Sequence, residues 1–171
     1  MWSCSTERIL IPHWRLQLLY QERTRPRWRG GETHVEHSRR ARLGLEFRSQ
    51  DGVRAGLRLE GCYLHAADRV DETGGLFSLI WQRRRQSSSY TFHLSRFLSA
   101  SYNSRIYEFE YHLPGTLSIR PLYGDGWRLY AMGGVQWRFL SIVGRYRYEC
   151  SQHRGRALHN IGLQVDFQTG E

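Results

Sequence analysis

A chain of 171 residues is the length of one domain and long enough to enclose a core. Its basic residues are all arginine and number 25 against 16 acidic ones; the net charge of +9 points to a polar lumen, an acidic partner such as lipid phosphate, or nucleic acid. Cys4, Cys62 and Cys150 have no zinc spacing and set no disulfide framework beyond an unsupported Cys62–Cys150 pairing, and no apolar run reaches the ~18–20 residues of a membrane helix.

Residues 1–11 read as an N-terminal tail. Met1–Arg8 lacks the basic stretch followed by an apolar one that marks a secretory signal, and no apolar stretch precedes Cys4 to make it a lipid-acylation site. An exported form is therefore expected to carry a further N-terminal part.

From residue 12 the chain alternates. Trp14, Leu16, Leu18 and Tyr20 fall on one face of a strand, with His13, Arg15, Gln17 and Gln21 on the other. Residues 23–34, rich in Arg and Gly, read as a loop. Ala41, Leu43, Leu45 and Phe47 then oppose Arg40, Arg42, Gly44, Glu46 and Arg48. Gln50-Asp51-Gly52 reads as a tight turn, because Asp-Gly accepts the positive φ that such turns need. The return strand sets Val53, Ala55, Leu57, Leu59 and Tyr63 against Arg54, Arg58 and Glu60.

After a polar loop over 68–75, a fourth strand carries Phe77, Leu79 and Trp81, and a fifth carries Tyr90, Phe92 and Leu94. Arg83-Arg84-Arg85 lies at the turn between them and reads mainly as a solvated tip, with phosphate contact as the functional alternative. Residues 105–113 form a sixth strand, with Tyr107, Phe109 and Tyr111 opposed to Glu108 and Glu110. A Pro/Gly-rich connection over 114–126 leads to a seventh strand bearing Trp127, Leu129, Ala131, Gly133, Val135 and Trp137. The eighth sets Leu140, Ile142, Tyr146 and Tyr148 against Arg145, Arg147 and Glu149, and residues 151–157 are the last loop.

The closing strand, His159–Phe167, has Ile161, Leu163, Val165 and Phe167 on one side and Asn160, Gly162, Gln164 and Asp166 on the other. Asn160, Gly162, Val165 and Phe167 occupy the positions of a pattern that is similar to the C-terminal assembly signal of bacterial outer-membrane β-barrels, although residues 168–171 follow it as a tail. That resemblance implies the barrel-assembly machinery as a partner.

About nine strands with no helical spacing predict an all-β fold: an antiparallel up-and-down barrel, or part of one, of about 8–10 long strands over residues 12–167. Alternation does not say which face meets water. Three features lean toward outer-membrane lipid on the apolar side. Several strands reach the ~9–11 residues that cross a bilayer. Aromatics bracket the apolar faces, as interface anchors do: Trp14 with Tyr20, and Trp127 with Trp137. The polar faces carry both signs, so a lumen of paired charges could satisfy itself. The lumen-facing charged candidates are Arg40, Arg42, Glu46, Arg54, Arg58, Glu60, Arg145 and Arg147. The alternative is a soluble basic barrel that binds nucleic acid or another polyanion and buries Leu43, Leu45, Leu57 and Leu59.

Residues 101–110 (Ser-Tyr-Asn-Ser-Arg-Ile-Tyr-Glu-Phe-Glu), Leu113-Pro114-Gly115 and Pro121–Tyr130 (Pro-Leu-Tyr-Gly-Asp-Gly-Trp-Arg-Leu-Tyr) resemble the C-terminal region of bacterial proteins that join helix-hairpin-helix DNA-binding repeats to an outer-membrane β-barrel region. The likeness extends more loosely over residues 12–167. It implies a bacterial outer-membrane location and contact with DNA and supplies no characterised reaction; the expected role is structural or transport, without catalysis. The helix-hairpin-helix part has no counterpart here, so DNA contact is assigned to no residue, and the chain reads as the C-terminal part of a larger barrel.

No catalytic, cofactor or metal site is expected, and no small-molecule substrate is identifiable. His34 and His37, three apart on a strand, point to opposite faces and make a poor metal pair. Ser141, Ser151, His153 and His159 are the serines and histidines weighed for a barrel-embedded hydrolase, and nothing in the sequence pairs them. Gly124-Asp125-Gly126 lacks the Lys-Ser/Thr of a phosphate loop and reads as a turn.

Overall fold

The computed structural model describes residues 2–29, 32–67, 70–111, 117–152 and 155–167. They form eleven strands: β1 (Trp2–Ile11), β2 (Trp14–Arg29), β3 (Glu32–Arg48), β4 (Val53–Ala66), β5 (Glu72–Arg84), β6 (Ser88–Ser99), β7 (Ile106–Tyr111), β8 (Leu117–Leu122), β9 (Gly124–Gln136), β10 (Leu140–Ser151) and β11 (Arg156–Phe167). Nine of them make one antiparallel sheet in the order β1-β2-β3-β4-β5-β6-β9-β10-β11, and β7 pairs only with β8. The expected all-β, up-and-down antiparallel architecture is present.

The sheet is open, with β1 and β11 as its edges. An odd number of strands explains part of this. Each neighbour reverses direction, so β1 and β11 run the same way and could meet only as a parallel pair, unlike every pairing within the sheet.

Several boundaries depart from the sequence reading. Residues 2–11, expected as a tail, form β1. Ile11-Pro12-His13-Trp14 turns with His13 at φ 84°, the left-handed value that a type II turn requires at its third position, with Pro12 at its second. Residues 23–29 and 32–34, expected as loop, extend β2 and β3 in register from Arg23↔Ser38 to Arg29↔Glu32. The pairing of β1 with β2 ends at Glu22, so Pro26 sits where β2 has no partner on its β1 side and its missing N–H breaks no ladder there. Residues 72–75 belong to β5 rather than to a loop.

The sixth predicted strand is the main correction. Residues 106–111 do not enter the wall. They form β7 and return as β8 within the stretch expected as a connection, while β6 pairs directly with β9 from Ser88↔Val135 to Ser99↔Gly124. This hairpin folds back over one face of the sheet, where Ile106 (1% exposed) and Leu122 (2%) pack with Cys62, Leu76 and Phe97 into a small buried cluster.

The turn between β3 and β4 falls where its sequence signal stands, but spans residues 49–52 and takes positive φ at Gly52 and not at Asp51. Gly52 has φ 76°, the Ser49 N–H donates to the Val53 carbonyl at 2.8 Å, and the Gly52 carbonyl accepts from Arg84 N–H at 2.9 Å. A side chain at Gly52 would strike the Arg84 carbonyl. Short connections (12–13, 49–52, 85–87 and 137–139) all lie at one end of the sheet. The β7–β8 insertion and the other links, including 67–71, lie at the opposite end.

Candidate functional site

Directly paired residues in an antiparallel ladder share a face, so the register sorts the sheet into two surfaces. One row runs Leu18↔Leu43↔Leu59↔Phe77↔Arg96↔Trp127, and another Phe47↔Ala55↔Trp81↔Phe92↔Ala131↔Tyr146↔Ile161. These belong to the apolar face, and it is exposed: Leu59 41%, Leu79 40%, Phe92 50%, Leu163 69%. Aromatics gather toward both ends. Near the short turns stand Trp14 against Phe47 (ring centroids 5.1 Å) and Trp81 against Phe92 (5.7 Å), and near the long connections stand Tyr20, Tyr63 and Trp127. A groove of about 730 Å³ on this face is lined by Leu18, Leu43, Leu59, Phe77 and Leu98 over Gly61 and Gly75. An added Cβ at either glycine would meet nothing within 4 Å.

Arg96 and Asp125 are two of the charged residues on this face, which also carries Arg8, Arg39 and Arg83 opposite Leu16, Tyr63 and Tyr90. Arg96 and Asp125 pair with each other, and Arg96 also donates to the Gly126 carbonyl at 3.0 Å and lies 5.3 Å from the Trp127 ring. Their position near the long-connection end, beside Trp127, is where a charge with an aromatic neighbour is tolerated at an interface.

The opposite face is polar and largely covered. All eight charged candidates lie on it: Arg40, Arg42, Glu46, Arg54, Arg58 and Glu60 through β3 and β4, and Arg145 and Arg147 through β10. The structure brings the first six into two clusters. The Glu60 carboxylate, with 0% side-chain exposure, accepts from Arg42 Nε at 2.7 Å and Arg58 Nε at 3.0 Å, with Arg40 at 3.4 Å. Glu46 accepts from Arg54 at 2.6 Å and also pairs with Arg48. Arg145 instead donates to Asn160 Oδ1 at 2.8 Å, across β10 and β11. Asn160 and Gly162 thus sit on the polar face, while Val165 (44% exposed) and Phe167 (78%) lie on the apolar one, opposite Ile142 and Leu140.

A third cluster was not foreseen. Glu108 of β7, 2% exposed, ties the folded-back hairpin to the sheet: it accepts from the Ser95 hydroxyl and lies 3.3 Å from His93 Nε2 and 3.5 Å from Arg128, which in turn reaches Glu149 at 2.8 Å. Arg58 adds a bond to the Tyr107 carbonyl at 3.2 Å. A polar cavity of about 300 Å³ lies between these groups, with Arg42, Glu46, Arg54, Ser78 and His93 in its lining. In sequence Glu108 looked like any outward polar residue of a wall strand, because period-two alternation gives the face but not the strand's destination.

Ser95, His93 and Glu108 do not form a nucleophile relay. The carboxylate lies on the same ring nitrogen that faces Ser95 (3.4 Å), whereas a relay needs the acid on the other nitrogen, and Ser95 is 1% exposed. Of the residues weighed for a hydrolase, Ser141 and Ser151 lie on the polar face and His159 on the apolar face, where it meets the Tyr146 hydroxyl at 2.9 Å. His153 lies outside the described residues, as does the 168–171 tail. His34 and His37 fall on opposite faces of β3, with His37 3.2 Å from Thr24 Oγ1. Cys62 is on the polar face and Cys150 on the apolar one, and all three thiols are free. Gly124 and Gly126 sit at the start of β9, not in a phosphate loop, and Gly124 alone of the two has positive φ, 80°. Of the Arg83–Arg85 run, Arg83 and Arg84 end β5, and the Arg85 N–H closes the β5–β6 turn on the Ser88 carbonyl at 2.8 Å.

In the link between β4 and β5, the Tyr63 hydroxyl and then the His65 ring bond Asp71, which holds its carboxyl below the usual aspartate range. No family model, curated protein or solved structure matches this chain.

Proposed function

We propose that the chain is an outer-membrane β-barrel segment, its apolar face against lipid and its charged face toward an interior, with a structural or pore role and no catalysis. One observation carries this reading: the apolar face is exposed while charges on the other face are buried. Leu79 is 40% and Phe92 50% exposed, against 4% for Glu60, 3% for Arg128 and 8% for Glu149. A water-soluble sheet buries its apolar side, and a membrane wall reverses that order. Short turns at one end, the long insertion that carries β7 and β8 at the other and aromatics near both add support, since outer-membrane barrels have short turns on one side and long loops on the other.

The hairpin β7–β8 then acts as an inward-folded constriction, pinned to the wall through Glu108 and Arg58. An association with DNA, implied by the helix-hairpin-helix resemblance that is densest over residues 101–130, is part of the proposed role and is assigned to no residue of this chain. Outer-membrane lipid and the barrel-assembly machinery are its partners.

Refolded with phospholipid vesicles, the chain should float with them through a density gradient and stay bound in high salt. Recovery as a vesicle-free, monodisperse protein would contradict the reading. That result would favour the soluble polyanion-binding barrel, which rests on the net charge of +9 and predicts salt-sensitive retention on DNA.

A further inference from the structure

We propose that a basic cavity at the long-connection end of the polar face binds a multiply charged phosphate-bearing molecule of headgroup size. The cavity encloses about 490 Å³ and is lined by Arg23 and Arg25 of β2, Arg40 of β3, and Arg105 just before β7. Glu36 is the one carboxylate in that lining, and Asn103 adds an amide. Four guanidinium groups from three separate stretches of chain therefore converge on one space, with Glu36 in its lining and Glu60 beside Arg40.

Like charges gathered in one cleft repel, and the low-dielectric walls concentrate their field on whatever anion enters. Two of the four groups are held in place beforehand. Arg105 donates from Nε to the Tyr107 hydroxyl at 2.6 Å and from a terminal nitrogen to the Tyr102 carbonyl at 2.7 Å, with its guanidinium 4.1 Å from the Tyr102 ring. Arg40 is drawn toward Glu60 at 3.4 Å. A preset guanidinium loses less freedom when it binds, and its planar fork matches two phosphate oxygens at once.

The number of arginines sets the charge of the ligand. A single carboxylate would leave several cations uncompensated, whereas a diphosphate, or a phosphate with further acidic groups, satisfies them. The volume sets its size, since the cavity exceeds one phosphate and falls within the ~300–1,000 Å³ of ordinary ligand pockets. A soluble diphosphate and the phosphorylated headgroup of a lipid present the same chemistry to this site. The site does not depend on which face of the sheet meets lipid, so it stands or falls separately from the membrane reading.

The test is calorimetric titration of the full chain, refolded in detergent, with pyrophosphate. Binding is expected with a dissociation constant below ~1 mM, weakened about tenfold or more by Arg25→Gln and by Arg105→Gln. Arg85→Gln, at the opposite end of the sheet, should leave it unchanged, and circular dichroism establishes that each variant keeps its strands. Anionic phospholipid vesicles, compared with neutral ones, form the second arm: a preference for them that the same two variants remove identifies the phosphate as a lipid's. Binding to neither probe, or equal weakening by Arg85→Gln, would overturn the proposal.

Discussion

The Glu60 carboxylate is closed off from solvent and lies 2.7 Å from Arg42 Nε, with Arg58 sharing the same oxygen and Arg40 beside the other. A buried charge survives only if it is paired, and here one anion answers for three cations. Glu60→Ala should therefore leave three half-buried guanidinium groups without their shared anion and cost about 1–3 kcal/mol, read as an earlier midpoint in urea unfolding. Glu7→Ala removes the equally short but exposed pair with Arg15 (2.8 Å, side chains 38% and 48% exposed) and should cost no more than about 1 kcal/mol.

A charge on the apolar face of β5 distinguishes lipid from water. Leu79→Arg puts a guanidinium on the apolar face, where a bilayer midplane would penalise it by about 2–4 kcal/mol. In water the same change, at a side chain already 40% exposed, should stay within ~0.5 kcal/mol. The fraction folded into vesicles, set beside the fraction folded in detergent-free buffer, separates these outcomes.

Two glycines in the sheet give a second contrast. A Cβ at Gly126 would collide with the Cys150 carbonyl and stand 2.7 Å from the Phe97 ring, so Gly126→Ala should destabilise by about 1–3 kcal/mol through forced shifts. Gly61 opens onto the apolar groove with nothing within 4 Å, and Gly61→Ala should be within ~0.5 kcal/mol of the parent. Denaturant midpoints of the two variants give the comparison.

The link at Asp71 is expected to respond to acid. Hydrogen bonds from Tyr63 and His65 depress its folded-state pKa, so the link's contribution is fully present above the ordinary aspartate value and is lost as pH falls through the depressed one. His37 and Arg39 line the same pocket, with Arg39 paired to Glu22 at 3.0 Å. Amide exchange around residues 70–72 should stay slow through the usual aspartate range and quicken only below it. Asp71→Asn should remove that pH step.

Much of this fold was legible in the sequence because period-two alternation is a direct consequence of strand geometry. The apolar rows through Leu43, Leu57, Leu79 and Leu129 and the charged set from Arg40 to Glu60 fall on separate faces as read. Two elements escaped for physical reasons. Trp2–Ile11 hides its strand because Cys4, Thr6 and Arg8 pair with Tyr20, Leu18 and Leu16, and the register breaks between Ile9 and Ile11. Its turn also rests on His13 rather than on a glycine or asparagine. The β7–β8 hairpin was missed because Tyr107, Glu108 and Phe109 alternate as a wall strand does, and Pro121 argues against a strand unless the strand is an edge, as β8 is. The site that depends on that hairpin, Glu108 with Ser95 and Arg128, was hidden with it.

Contact of the exposed apolar face with lipid, as proposed, can be measured residue by residue. After replacement of Cys4, Cys62 and Cys150, single cysteines placed through β5 at Phe77, Ser78, Leu79, Ile80 and Trp81 can carry a fluorophore in vesicles that contain a lipid-borne quencher. Strong quenching is expected at 77, 79 and 81 and weak quenching at 78 and 80, a two-residue period in phase with the apolar rows. Weak quenching at all five positions, or the opposite phase, would contradict it.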